Sequence, residues 1–270
     1  MGWQFLGIIA IVCAVLCAVG FYKFVYFLSV GYGLAIAGGS IAVFVIALTN
    51  GWLTGIALPI AIAQMILFII YGMRLSGFLI IREVKNIAYR KTLKEATGGD
   101  KKMPVFVKAV IWIFVTVLYT AQLSPMFYRH MNGMKDVVVP VIGMIISVIG
   151  LILEATADSQ KSAQKKINPD MVATKGLYKM VRCPNYLGEI IFWTGVFVAG
   201  ITGYHSAGQW IMAVIAYIAI VYIMFNGAQR LEKRQNGRYG DKKEYVDYAN
   251  STPIIIPLIP LYHLIKTDKK

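Results

Sequence analysis

Long unbroken runs of apolar residues set the limits on how this chain can fold. A helix that crosses the hydrocarbon core of a bilayer needs about 20 predominantly apolar residues. Hydrophobic residues make up 58% of the 270 residues and charged residues only 15%, which exceeds the apolar content of soluble globular proteins. The sequence predicts an all-α integral membrane protein, a bundle of about seven transmembrane helices at residues 3–21, 25–48, 52–73, 104–125, 137–157, 186–203 and 208–226.

We expect residues 1–270 to form a single membrane domain, since the chain contains no internal repeat and no second soluble domain. Residues 227–270 are predicted to be a cytoplasmic or interfacial tail, because the apolar run 254–265 is short and interrupted by proline. No cleavable signal is expected, since residues 1–6 carry no basic side chain and the first apolar run is long enough to span.

Positive charge is distributed unevenly between alternate loops. The chain carries a formal net charge of +14, and most of its 27 lysines and arginines fall in loops that seven spans place on one side. The loops of the other side contain only Arg129 and Lys135. The positive-inside rule then places the N-terminus outside and the C-terminus in the cytoplasm. The excess charge fits either contact with anionic membrane lipids or binding of an anionic cofactor, and no nucleic-acid partner is predicted.

Polar residues are concentrated where a basic loop becomes the sixth predicted span. Pro184 suits the first turn of a helix because it has no amide hydrogen to leave unpaired there. Asn185 and Glu189 would then share one helix face, with Arg182 and Tyr186 beside them. A carboxylate at the mouth of an apolar helix is unfavourable unless it is paired, so Glu189 is either neutralised by a partner such as Arg182 or kept for a ligand.

The residues around this helix start resemble a known signature. From Gly176 to Glu189 the chain reads G-L-Y-x-x-x-R-x-P-N-Y-x-G-E, which resembles the signature of the membrane steroid 5-alpha-reductase superfamily, especially its bacterial branch of unknown function. Isoprenylcysteine carboxyl methyltransferases have a related arginine, proline and tyrosine pattern, but Glu189 after Gly188 is the reductase-like feature. Cys183 departs from the pattern, since a histidine is usual at that position.

This resemblance implies an oxidoreductase that uses NADPH without a Rossmann fold, in a bacterial inner membrane. The cofactor would be held by cytoplasmic helix ends and loops, including part of the basic loop 82–103. The E-A-T-A-D-S-Q run beginning at Glu154 closely resembles the bacterial pattern of the family, and the tail with Tyr245 and Tyr248 resembles the C-terminal segment of the family. The implied cofactor-binding residues are Arg82, Lys85, Glu154, Asp158, Lys165, Tyr178, Arg182, Asn185, Tyr186, Glu189, Arg230, Glu232 and Tyr245.

The end of the third span supplies the implied catalytic residue. Tyr71 and Arg74 lie three residues apart and so share a helix face. The resemblance makes Tyr71 the donor to the substrate carbonyl, with Arg74 also binding substrate. Steroid 5-alpha-reductases hold the substrate ketone with a glutamate of an early helix, whereas the first 81 residues contain no acidic residue and offer only Asn50 and Gln64. Other enones and polyisoprenoid lipids are therefore open as substrates alongside steroids.

Two other functions fit the same residues. An integral-membrane methyltransferase would use Glu189 and Asp158 to bind the cation of S-adenosylmethionine. A membrane protein without enzymatic activity would use the same polar residues as structural ion pairs. No metal site is expected, since the three histidines lack ligand spacing, and the three cysteines are expected to be reduced thiols packed as small residues.

Overall fold

The structure of the protein is a computed structural model that describes residues 2–85 and 103–265. These residues are mostly helical and contain no strand. Residues 86–102 of the basic loop lie outside the described part. Short 3-10 helices occur at Ala18–Phe21, Phe24–Leu28, Gly176–Lys179 and Ile201–Gly203. The α-helices, numbered in chain order, are α1 Gln4–Cys17, α2 Val30–Thr49, α3 Ala57–Lys85, α4 Val105–Met131, α5 Val138–Ile167, α6 Pro184–Gly200, α7 Ala207–Tyr239 and α8 Lys243–Ser251.

The predicted membrane class is confirmed by the lengths and composition of these helices. Within the described residues, seven helical segments are long and apolar enough to cross a bilayer: Gln4–Phe21, Val30–Thr49, Ala57–Lys85, Val105–Met131, Val138–Ile167, Pro184–Gly203 and Ala207–Tyr239. Helices α3, α5 and α7 continue well past the ends of the apolar runs. A helix that is already nucleated adds one hydrogen bond for each further residue, so it can continue through polar residues. Hydropathy detects only the apolar part of such a helix.

The described chain divides into two compact units. The first unit contains residues 2–85, 103–144 and 197–216, and the second contains residues 145–196 and 217–265. The boundaries between the units fall inside α5, α6 and α7. Each unit is described by itself below.

Glycine brings α2 and α3 together in the first unit. A Cβ atom added to Gly72 would lie 2.2 Å from the carbonyl oxygen of Gly33, so the two backbones are in direct contact. The hydroxyl of Ser76 donates to the carbonyl oxygen of Val30 at 2.9 Å across the same contact. Small residues allow this close approach between membrane helices.

Three tyrosines link α2, α3 and α4 in the first unit. The ring of Tyr32 on α2 stacks on Tyr119 of α4 with 4.8 Å between ring centroids. The same ring meets Tyr71 of α3 edge-on at 6.0 Å. The hydroxyl of Tyr119 donates to the carbonyl oxygen of Phe27 at 2.6 Å. Buried faces of three helices therefore converge on Tyr32.

A second glycine contact joins α5 and α6 in the second unit. A Cβ atom on Gly150 would lie 2.4 Å from the amide nitrogen of Phe192 and 2.6 Å from the carbonyl oxygen of Gly188. The hydroxyl of Ser147 donates to the carbonyl oxygen of Phe192 at 2.9 Å. Helix α6 begins at Pro184, as the sequence predicts. The contact residues Gly188 and Phe192 therefore lie in the second and third turns of α6.

The chain beyond residue 226 packs against the start of α6. The amide groups of Arg182 and Cys183 donate to the carbonyl oxygens of Pro253 and Ile254 at 2.8 and 2.9 Å. An apolar cluster surrounds this pairing, formed by Val181, Cys183, Leu187, Ala228, Leu231, Ile254 and Ile255. The segment predicted as a tail thus supplies part of the core of the second unit.

Substitution of Gly150 by valine is expected to destabilise the protein. The new side chain would collide with backbone atoms of α6, and forcing extra volume into a packed contact costs about 1–3 kcal/mol. Thermal unfolding in detergent would measure the effect. Gly237→Ala on α7 is the matched control, because a Cβ atom there meets nothing within 4 Å, and an unchanged or raised midpoint is expected for it. Equal midpoints for the two variants would contradict the backbone contact.

Candidate functional site

Two buried carboxylates lie beside the contact between α5 and α6. A Cβ atom on Gly188 would lie 2.7 Å from the amide nitrogen of Glu154 and 2.9 Å from its Cβ. Glu154 is therefore adjacent to Gly188 and the residue that follows it, Glu189. The two side chains are only 5% and 4% exposed. Burying an ionisable group inside a membrane bundle costs free energy, and such groups mark functional sites more often than structural ones.

The carboxylate of Glu189 is held by a tryptophan one turn along α6. The indole Nε1 of Trp193 donates to Oε1 of Glu189 at 3.1 Å, and both side chains are buried. A donor fixed in this way sets the direction of the carboxylate. Trp193 was not among the predicted site residues, although its spacing of four residues from Glu189 places it on the same helix face.

Asn185 lies in the first turn of α6, four residues before Glu189. Its side chain is half-buried, and it forms no hydrogen bond with any other residue in the described parts of the chain. A side-chain amide has both donor and acceptor groups. The amide of Asn185 is therefore available to a ligand at the position where the sequence predicts one.

Tyr186 connects these residues to α7. A Cβ atom on Gly227 of α7 would lie 3.3 Å from the Tyr186 ring, so the ring packs directly on the α7 backbone. The charges of Asp158, Arg230 and Arg234 are close enough to act on the Tyr186 hydroxyl. Arg230 and Arg234 are exposed.

We use the name polar cluster for five of these residues, which the structure brings together from α5 and α6 in the second unit: Glu154, Asp158, Asn185, Tyr186 and Glu189. All five were predicted from the sequence. The cluster combines carboxylates, an available amide and an aromatic ring, with exposed arginines beside it. This set can bind a ligand that offers hydroxyl or amide donors at one end and negative charge at the other.

Arg182 and Glu232 form a buried ion pair. Nη2 of Arg182 lies 2.8 Å from Oε1 of Glu232 and also donates to the carbonyl oxygen of Tyr262. His263 Nδ1 lies 2.8 Å from the same Glu232 oxygen, and the Leu264 amide donates to Oε2 at 2.8 Å. The sequence offered Arg182 as a possible partner of Glu189, whereas the structure pairs Arg182 with Glu232 of α7. We call these residues the anchor, because they tie residues 262–264 to the start of α6.

Cys183 lies between the anchor and α6. Burial raises the pKa of its thiol to about 12, against smaller opposing effects of Lys161 and Arg182. The thiol is therefore protonated at neutral pH and unreactive. The residue that departs from the resembled signature acts here as a small apolar side chain in the core.

The loop before the anchor is held by side chains of α5. Oε1 of Gln164 accepts hydrogen bonds from the amides of Thr174 and Lys175 at 2.9 Å, and Oε1 of Gln160 accepts one from Leu177 at 2.8 Å. The hydroxyl of Tyr178 donates to the carbonyl oxygen of Ala157 at 3.3 Å. Tyr178 is therefore placed as a packing residue of this loop.

Lys165 and the tyrosines of the tail also form hydrogen bonds with other groups of the protein. The ammonium of Lys165 donates to the carbonyl oxygens of Pro169 and Met171 and to the hydroxyl of Tyr239, which uses all three of its hydrogens. The hydroxyl of Tyr245 donates to Asn236, and burial raises its pKa to about 12. These groups stabilise the surroundings of the polar cluster through contacts within the protein.

The residues predicted from the third span lie in the first unit. Tyr71 is fully buried in the tyrosine group described above. Arg74 and Arg82 are both 6.0 Å from the ring of Phe78, and Lys85 is exposed at the end of α3. In residues 2–85 and 103–265 no three histidine, cysteine or acidic side chains form a possible metal site.

Comparison with known proteins identifies related sequences. The family described as "Protein of unknown function (DUF1295)" matches residues 33–252, which include every predicted site residue. An uncharacterised protein of Schizosaccharomyces pombe is 27% identical over 135 residues, covering 47% of this chain and 46% of that protein. The chain thus spans about half the length of this curated relative. No solved structure matches the chain.

Removal of one partner of the buried ion pair is expected to destabilise the protein strongly. Arg182→Met would leave the Glu232 carboxylate with less compensation in a buried position, which costs about 3–5 kcal/mol. The matched control is Arg238→Met, since the Arg238 and Asp170 side chains are 58% and 79% exposed and exposed pairs contribute about 0–1 kcal/mol. Thermal unfolding in detergent would compare them, and equal effects would show that the anchor does not stabilise the second unit.

Proposed function

We propose that this chain, which belongs to the DUF1295 family, is an NADPH-dependent membrane reductase of the steroid 5-alpha-reductase type. The reaction would reduce a carbon-carbon double bond conjugated to a ketone in an apolar small molecule or lipid. The signature around Arg182 to Glu189 supports this proposal from the sequence. The polar cluster supports it from the structure.

One observation carries the proposal. The amide of Asn185 has no partner among the described residues, and it lies one turn from Glu189, a buried carboxylate held in a fixed direction by Trp193. A membrane scaffold gains nothing from an available amide beside buried carboxylates, since such groups are unfavourable in an apolar surrounding. A bound polar cofactor would form hydrogen bonds with this amide and this carboxylate.

The residues present fit a nicotinamide dinucleotide. Asn185 and Glu189 would hold its carboxamide or a ribose, because an amide and a carboxylate match those donors and acceptors. The exposed Arg230 and Arg234 would bind the phosphates through charge-assisted hydrogen bonds. When bound, NADPH would supply the hydride for the carbon atom β to the ketone.

Tyr71 is the proposed proton donor for the substrate. A phenol is neutral at pH 7 and can donate a hydrogen bond, and a donor directed at a ketone oxygen stabilises the negative charge that develops there. Arg74, on the same face of α3, would bind the substrate with it. We propose that the substrate enters from the surrounding lipid.

The proposed orientation has the N-terminus outside and the C-terminus in the cytoplasm of a bacterial inner membrane. The distribution of lysine and arginine between alternate loops supports it. It would place the ends of α5 and α7, with Arg230 and Arg234, on the side where NADPH is available.

Nucleotide-dependent thermal stabilisation is the first test of this function. NADPH at about 100 times its dissociation constant should stabilise the detergent-purified protein by about 2.7 kcal/mol. Asn185→Ala should abolish the shift, because it removes the available amide. Asn168→Ala should retain it, since Asn168 is exposed in the loop after α5. S-adenosylmethionine is tested in parallel, and a shift with that compound alone would replace the reductase by a methyltransferase that uses the buried carboxylates to bind a cation.

The role of Tyr71 is tested by Tyr71→Phe. Loss of a hydrogen-bond donor to the developing oxyanion is expected to lower kcat about 100- to 1000-fold, while the stabilisation by NADPH stays unchanged. Tyr222→Phe is the control, because Tyr222 is exposed on α7. Reduction of a panel of apolar enones, followed through NADPH absorbance, gives the rate. A Tyr71→Phe enzyme with undiminished kcat would remove Tyr71 from the mechanism.

A further inference from the structure

The first unit contains buried polar atoms that its own residues do not satisfy. Gln64 of α3 is 4% exposed and Gln122 of α4 is 2% exposed. Oε1 of Gln64, and both Oε1 and Nε2 of Gln122, have no hydrogen-bond partner in the described parts of the chain. Nearly all buried polar groups in proteins are hydrogen-bonded, so exceptions indicate a missing partner such as a ligand.

The two glutamines lie on helix faces that converge. Gln64 and Tyr71 are seven residues apart, and Gln122 and Tyr119 are three apart, so each glutamine shares a buried face with its tyrosine. Those tyrosines contact Tyr32 of α2 from α3 and from α4. The unsatisfied amides therefore belong to the same group of helix faces around Tyr32.

The unsatisfied atoms define the chemistry of the missing partner. Gln122 has a donor nitrogen and an acceptor oxygen to satisfy, whichever way its amide is turned, and the oxygen of Gln64 adds a second acceptor atom. A hydroxyl group both donates and accepts, whereas a ketone or an ether only accepts. A charged group would find no opposite charge on these amides and would be unfavourable in an apolar surrounding.

We propose that Gln64 and Gln122 form an intramembrane site for an uncharged, apolar alcohol. The hydroxyl oxygen accepts from Nε2 of Gln122, and the hydroxyl hydrogen is donated to a glutamine Oε1. The ligand is either a neutral membrane lipid with a hydroxyl headgroup or a hydroxylated substrate. The site belongs to the first unit alone, and only its assignment to a substrate rests on the proposed function.

Photolabelling with two matched probes tests the site without NADPH. One probe is a long-chain primary alcohol that carries a diazirine, and the other is its methyl ether, which cannot donate. The alcohol should label wild-type α3 and α4 about tenfold more than the ether does, as expected for one additional hydrogen bond. Gln122→Leu should lower labelling by both probes, because the oxygen of each probe loses the hydrogen bond from Nε2 of Gln122.

Gln209→Leu is the matched control. Gln209 is as buried as Gln64, at 5% exposure, but its Oε1 accepts from the Asn132 side chain at 3.0 Å and from the His205 amide at 2.7 Å. Its loss should lower the unfolding midpoint and leave the alcohol-to-ether ratio unchanged. In delipidated protein Gln122→Leu should raise the midpoint, because it removes an unsatisfied polar group.

Competition then distinguishes the two sources of the alcohol. Displacement of the probe by unlabelled diacylglycerol identifies a membrane lipid, and displacement by a hydroxylated cyclic enone identifies a substrate. Equal labelling by alcohol and ether in the wild type would overturn the inference. So would a Gln122→Leu midpoint as low as that of Gln209→Leu, because it would show that Gln122 has an ordinary structural partner.

Discussion

Direct contact between the backbones of α5 and α6 determines what the second unit can do. With glycine at positions 150 and 188, no side chain separates the two helices, and Glu154 comes to lie beside Gly188. Any larger residue would move the carboxylates of α5 away from Glu189, the one acidic residue of α6. The acidic side chains of the polar cluster repel one another, so they do not come together by attraction. The packing of α5 against α6 places them close to each other.

The polar groups discussed above differ in how many hydrogen-bond partners the described residues give them. The anchor satisfies Glu232 completely, with Arg182, His263 and the Leu264 amide around its two oxygens. Lys165 is satisfied by two carbonyl oxygens and a phenol in the same way. Asn185, Gln64 and Gln122 differ, since the described residues provide no such partners for their amides. The groups with such partners position the helices, and ligands are proposed at the groups that lack them among the described residues.

Membrane class and helix positions could be predicted from the sequence because a bilayer requires long apolar runs. The five residues of the polar cluster could also be singled out, since they lie within a short motif or at helical spacing, and their role as a binding site stays a prediction. The partner of Arg182 was not found, because Glu232 is 50 residues away and only the tertiary fold brings them together. The structural roles of Lys165, Tyr178 and Tyr245 were missed for a similar reason: their partners are mainly backbone carbonyl oxygens and side-chain amides, which leave no pattern in a sequence.

The order of synthesis gives the anchor a further consequence. A ribosome adds Arg182 before Glu232, and Glu232 before the residues at 262–264 that complete the pairing. Until Glu232 has been translated, the cation of Arg182 lacks the carboxylate that neutralises it in the folded state. The start of α6 can reach its final geometry only after residues 253–264 have left the ribosome. The anchor therefore joins residues that are translated 80 positions apart, from Arg182 to Tyr262.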